Sequence, residues 1–157
     1  MAIINRLRRN PFFLKMMLNT YAPYVGAGVK IVRFDVEHLA IDVQMRLNRF
    51  NKNYVGTQFG GSLYSMIDPF FMFLLMHHLG NDYIVWDKAA NIDFRSPGLG
   101  TVTAQIRLTP DEINTVRELA QSGAPVLRTY PVDVVGEDGK VVTHVDKVLY
   151  IRKKKGK

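Results

Sequence analysis

Cysteine is absent from the 157 residues, which excludes disulfides, thiolate nucleophiles, CxxC redox pairs and cysteine zinc sites together. Any chemistry falls to oxygen and nitrogen groups. The same absence fits a reducing compartment, and a cytoplasmic location is expected. Serine does not occur before Ser62 and no acid occurs before Asp35. The first stretch, with Arg6, Arg8, Arg9, Lys15, Lys30 and Arg33, is basic in the manner of a transit peptide but lacks its serines. Lys15 also interrupts the apolar run Phe12 to Leu18 that a secretory signal would need unbroken. No stretch reaches the ~18 uncharged apolar residues of a membrane span. The nearest, Pro69 to Met76, lies between Asp68 and His77. A soluble protein without stable membrane insertion is expected. G-x-S-x-G, P-loop and dinucleotide fingerprints are missing, as are HxH, HExxH and carboxylate clusters, so neither a metal nor another cofactor is expected.

What is present is an ordinary globular composition, 47% apolar and 22% charged, in a chain long enough for one core. The net charge of +7 is unevenly placed. Arg6, Arg8 and Arg9 at one end, and Arg152, Lys153, Lys154, Lys155 and Lys157 at the other, leave 13 basic and 14 acidic residues over 11–151. A neutral body with basic ends suits a solvated tail or the fringe of an anionic ligand, and nucleic acid is not expected as a partner.

Asn10 and Pro11 open a short amphipathic helix over 11–20 whose Phe and Met face is expected to pack on the domain. Val29 to Val36 reads as a strand, and Leu39, Ile41, Val43, Met45 and Leu47 alternate with polar residues as a half-buried second one. After a polar loop, Gly60-Gly61 opens a segment apolar on nearly every face from Ser62 to Leu79. This spacing predicts one buried central helix kinked at Pro69. Strands follow at 84–94 and 102–108. A helix is opened by Thr109-Pro110-Asp111-Glu112, and strands at 126–135 and 140–151 flank the Asp138-Gly139 turn. A helix apolar all round must be covered on more than one face, so the order predicts a single α+β domain: a curved antiparallel sheet wrapped around one long helix.

Asp68 is the only charged residue between Lys52 and His77 and sits within that apolar helix. A carboxylate there is costly to bury and is a candidate general base or nucleophile. Gly60 and Gly61 present unpaired N–H groups at the positive end of the helix dipole, where a carbonyl oxygen could be polarised. Seven residues of helix, roughly 10 Å, separate Gly61 from Asp68, so one reacting carbon could meet both only across two chains. Phe71 and Met72, with Phe70, Phe73 and Met76, could line an apolar ligand slot or form plain core. His77-His78 fits a helix C-terminus, and His38 and His144 stand isolated.

The run Asn53-Tyr54-Val55-Gly56-Thr57-Gln58-Phe59-Gly60-Gly61, followed by Asp68, resembles the Asn, His-Gly-Gly and Asp motif of hotdog-fold acyl-CoA thioesterases, notably the phenylacetyl-CoA thioesterase-like branch. Asn91-Ile92-Asp93-Phe94-Arg95-Ser96-Pro97-Gly98 resembles a strand-ending segment of the same proteins. The closest likeness is to a subgroup described only as a domain of unknown function. The resemblance implies a hotdog fold over about 25–151, assembled as a homodimer or dimer of dimers. It also implies a site pairing Asp68 of one subunit with Asn53, Gly60 and Gly61 of the other, with Phe59, Tyr64, Ser65, Phe71 and Met72 near the substrate. Asn53 would hold the water or the carbonyl. Phe59 stands where the family has His and cannot transfer a proton. The expected activity is hydrolysis of an acyl-CoA thioester. The alternatives are a non-catalytic acyl or aromatic ligand-binding protein, favoured by Phe59, and a basic-ended adaptor for membrane surfaces or nucleic acid.

Overall fold

A computed structural model describes residues 10–154. The N-terminal Arg6, Arg8 and Arg9, and Lys155 and Lys157 of the basic tail, lie outside them. Two short helices open the described residues, α1 (Pro11–Asn19) and α2 (Ala22–Ala27), followed by β1 (Val29–Asp35) and β2 (Ala40–Arg46). Then come α3 (Gly60–Ser65), α4 (Phe70–Leu79), β3 (Tyr83–Phe94), β4 (Thr101–Arg107), α5 (Pro110–Leu119), β5 (Val126–Gly136) and β6 (Val141–Lys153). The six strands form one antiparallel sheet in the order β1-β2-β4-β5-β6-β3.

The alternation of the strands decides which face is buried. On β2, Ile41, Val43 and Met45 point inward. On β4 the inward residues are Val102, Ala104 and Ile106, and on β6 they include Val145, Leu149 and Ile151. Against this face lie Leu63, Met66, Ile67, Phe70, Phe71, Leu74 and Leu75, at most 3% exposed. One core therefore sits between the concave sheet and the central helical segment.

That segment is not the single kinked helix expected from its apolar run. It is two helices, because Met66 to Pro69 leave the helical path as a turn and α4 restarts at Phe70. Proline supplies no N–H to the ladder, and its ring disfavours helical dihedrals at the residue before it, here Asp68. The break holds Asp68 off the helix axis.

Both predicted caps are present. Asn10 Oδ1 accepts from the N–H of Phe12 (3.0 Å) and Phe13 (3.4 Å), and Thr109 Oγ1 from that of Glu112 (3.1 Å). The packing of α1 differs from expectation. Leu18 is buried and Leu14 touches the core, but Phe12, Met16 and Met17 are exposed, since the helix is apolar on more sides than the sheet can cover. Helix α2 has no counterpart in the sequence reading. Its C-cap, Gly28, takes φ +78°, and a Cβ there would lie 2.6 Å from Asn51 Nδ2, so only glycine fits. Arg152 and Lys153 extend β6 rather than forming a tail. The backbone N–H of Lys154 donates to Asp82 O (2.8 Å) and its Nζ to Asn81 O (2.6 Å).

Candidate functional site

The break between α3 and α4 places Asp68 against two strands that are remote from it in sequence. Lys147 of β6 lies on the inward face, in phase with Val145 and Leu149, and is 1% exposed. Its Nζ donates to Asp68 Oδ1 at 2.7 Å and to the Tyr64 hydroxyl at 2.6 Å, and lies 5.0 Å from the centre of the Tyr64 ring. Asp87 of β3 completes the cluster, with Oδ1 3.2 Å from the same Nζ but without hydrogen-bond alignment. The phenol of Tyr24 on α2 donates to the Asp68 backbone carbonyl.

The electrostatics follow from two acids sharing one cation. Burial penalises the charged form of Asp87, and Asp68 lies against it. Together these outweigh the Lys147 ammonium and push the Asp87 carboxyl up to about 6. Burial alone would pull the Lys147 ammonium down, yet the hydrogen bonds to Asp68 and Tyr64 and the charges of Asp68 and Asp87 raise it, so it stays protonated. Burial, and then the Asp68 charge, drive the Tyr24 phenol upward. The Asp68 side chain remains 43% exposed, against 2% for that of Lys147. One carboxylate is thus anchored from behind and open in front.

The other predicted residues gather elsewhere. Asn53, Gly60, Leu63, Phe94, Arg95 and Gly98 are among the residues lining a groove of about 490 Å³ between the start of α3 and the 94–98 turn, and Asp68 is not part of its lining. Asn53 is engaged within its own loop: Nδ2 donates to Thr57 Oγ1 (2.9 Å) and Gln58 O (3.3 Å), and Oδ1 accepts from the N–H of Val55 and Thr57. Aromatic rings cover both glycines. A Cβ on Gly60 would lie 2.9 Å from Phe94 Cζ, and one on Gly61 2.5 Å from Phe59 Cε1. Phe59 is itself largely exposed. Gln58, also in the lining, is buried with its Nε2 bonded to Met45 O and Gly100 O, while its Oε1 has no protein partner.

Of the residues expected near a substrate, Tyr64 belongs to the Lys147 cluster and Ser65 Oγ donates to Ser62 O. Phe71 is core, 2% exposed and stacked on Tyr130 with ring centres 5.1 Å apart; Met72 packs partly buried beside it. His144, isolated in the sequence, has Nδ1 2.6 Å from Asp133 on the paired strand β5 and Nε2 3.5 Å from Asp146, two residues along its own strand. His38 contacts Asp35 (2.8 Å) and His77 contacts Glu37 (3.1 Å). Among the described residues no three His, Asp or Glu side chains converge as metal ligands, and no helix is long and apolar enough to cross a membrane.

Lys147 and Asp87 were absent from the sequence reading, although both carry a signal. Each is a charged residue at an inward position of an alternating strand, Lys147 between Val145 and Leu149 and Asp87 two residues after buried Val85.

The fold matches known proteins. Residues 11–151 match the family described as a domain of unknown function, DUF4442, and the chain belongs to that family. Among solved structures it is similar to a protein of unknown function from Pseudomonas aeruginosa, named a probable thioesterase, at 18% identity and a TM-score of 0.76. The match covers 92% of this chain and 97% of that one. It is also similar to a thioesterase from Haemophilus influenzae (16% identity, TM-score 0.66, 92% and 91% covered). A third is the PaaI protein of the Escherichia coli phenylacetic acid degradation operon (19%, 0.57, 90% and 89%). These likenesses establish the hotdog fold. No curated protein matches the chain.

Proposed function

We propose that this protein is a hydrolase of acyl-CoA thioesters, acting as a dimer at a site shared between subunits. The observation that carries the reading is the half-exposed Asp68 carboxylate, held 2.7 Å from a buried ammonium at a break in an otherwise apolar helical segment. As general base, Asp68 takes a proton from water while the water oxygen bonds to the acyl carbon. The C–S bond then breaks and the departing thiolate takes up that proton. Direct attack by the carboxylate, through an acyl anhydride that water later opens, uses the same residue. The N–H groups at Gly60 and Gly61 of the second subunit would polarise the thioester carbonyl. Asn53 serves by building the loop that carries them.

Assembly through β3 supports the shared site. Among the described residues this 12-residue strand pairs on one side only, with β6, and Lys88 to Asn91 are exposed on both faces, as an edge awaiting a second copy would be. The test is thiol release from short, medium, long and aromatic acyl-CoAs by the wild type and by Asp68→Asn. Turnover lost by orders of magnitude in the variant is expected. Turnover that survives Asp68→Asn would overturn the assignment.

A second reading has its own observation. The rings of Phe59 and Phe94 lie over Gly61 and Gly60, where a motif histidine would bring a proton-transferring group. A protein that binds acyl or aromatic thioesters without cleaving them would hold a non-hydrolysable thioether analogue tightly and release no thiol.

A further inference from the structure

We propose that Lys147 is the positioning residue of this site: its ammonium, shared between Asp68 and Asp87, aims the Asp68 carboxylate toward the open side of the helix break. The inference rests on the reading of Asp68 as the reacting group and names what holds it.

A lysine at an inward position of a core strand carries a heavy desolvation cost unless its charge is matched. Here its matches are Asp68 Oδ1 at 2.7 Å and Asp87 Oδ1 at 3.2 Å, with the Tyr64 oxygen at 2.6 Å accepting a further hydrogen bond. Surface ion pairs wander because both partners are flexible and solvated. In this pair one partner is locked in the core, so the carboxylate in front of it has a fixed Oδ1, and its orientation is determined from behind. Tyr64 fixes the ammonium from α3, Asp87 from β3, and Tyr24 pins the Asp68 main chain from α2, with Tyr21 beside it. Tyr130, opposite Lys147 on β5, is turned away, its hydroxyl given to Glu112 at 2.8 Å.

The same ammonium also faces Asp87, whose ionisation is opposed by burial and by Asp68 and favoured by Lys147. Asp87 therefore acts through Lys147 rather than on the substrate.

The test uses the full-length protein and two readouts, one of which needs no substrate. Side-chain carboxyl NMR titrations are recorded for the wild type, Lys147→Met, Asp87→Asn and Asp68→Asn, together with the pH dependence of kcat and KM on the best acyl-CoA. In Lys147→Met, Asp87 is expected to titrate higher than in the wild type, and in Asp68→Asn lower. Lys147→Met should lose about 100-fold or more in kcat with KM changed less than about threefold, the split expected when orientation rather than binding is lost. Asp87→Asn keeps the lysine and guards against a misfolded methionine variant. Its kcat should stay within about tenfold of the wild type. An Asp87 titration indifferent to Lys147→Met would overturn the shared ammonium. A moved titration with kcat intact would overturn the positioning role. A wild type that hydrolyses no thioester would sink the hydrolase reading and the positioning role with it, while the titrations would still show whether the cluster exists.

Discussion

The hydroxyl of Tyr24 donates to the backbone carbonyl of Asp68, across 44 residues of sequence, and its ring stacks on Phe70 with centres 6.0 Å apart. A short N-terminal helix thereby braces the turn that carries the candidate reacting carboxylate. Tyr24→Phe keeps the stacking and removes only the bond, leaving a carbonyl acceptor without its partner. The expected cost is about 1 kcal/mol of stability, measured by urea unfolding, with a several-fold loss of thioester turnover.

Asp87 makes a pH-dependent contribution whose sign is fixed by its position. Its carboxyl is pushed up to about 6 by burial and by Asp68, so the fold favours its neutral form. That advantage is complete below the ordinary carboxylate range and is lost as pH rises through about 6. Asparagine cannot ionise. Asp87→Asn should therefore be more stable than the wild type at pH 8, by on the order of 1 kcal/mol, with the difference vanishing near pH 4. Thermal unfolding at the two pH values checks it, and an equal difference at both would contradict it.

Glu112 fastens α5 to the sheet. Arg128 grips it with two bonds, Nε to Oε1 at 2.8 Å and Nη2 to Oε2 at 2.7 Å, and the Tyr130 hydroxyl adds a third at 2.8 Å. Burial would raise this carboxyl, but the bonds from Arg128 and Tyr130 overcome it and lower it. The stability it adds is present above the ordinary carboxylate range and disappears as pH falls through that range and below. Glu112→Gln should cost about 1–3 kcal/mol at pH 7, and less at pH 3, by denaturant unfolding.

Phe59 is largely exposed and touches Gly61, so its ring can leave without opening the core. Phe59→Ala should change stability by no more than about 0.5 kcal/mol. Loss of the ring over the glycine should weaken binding of a thioether acyl-CoA analogue, read by calorimetry. Unchanged affinity would place the acyl group elsewhere.

Much of this architecture is legible in the chain. Period-two alternation located β2 and β4, where one face of the sheet is buried and the other is not, and the other four strands were placed to within a residue or two as strand-like runs between turn signals. Helix α2 escaped because six residues with Pro23 and Gly26 carry little periodicity. The central segment read as one helix because its hydrophobicity is continuous, whereas its geometry is decided by one proline. Asp68 stood out as a lone charge in an apolar run. Lys147 did not, because a lysine in a strand reads as solvent-facing until the carboxylate that pairs with it, 79 residues away, is seen beneath the sheet. Local spacing carries the elements, and the site is made of distant pairs.

The bulge in β3 has a consequence for how the chain tolerates change. Asp87 pairs with Leu149 and Ala89 with Val148, so Lys88 is one residue more than the partner strand requires. Deleting Lys88 would join Asp87 to Ala89 with both still opposite their present partners, so Asp87 opposite buried Leu149 and Ile92 opposite buried Val145 would keep to one face of an unbroken ladder. An exposed lysine is thus surplus to the strand's in-and-out pattern: what it supplies is the local bend and added twist of the edge, and a shortened chain would keep its faces while running straighter there.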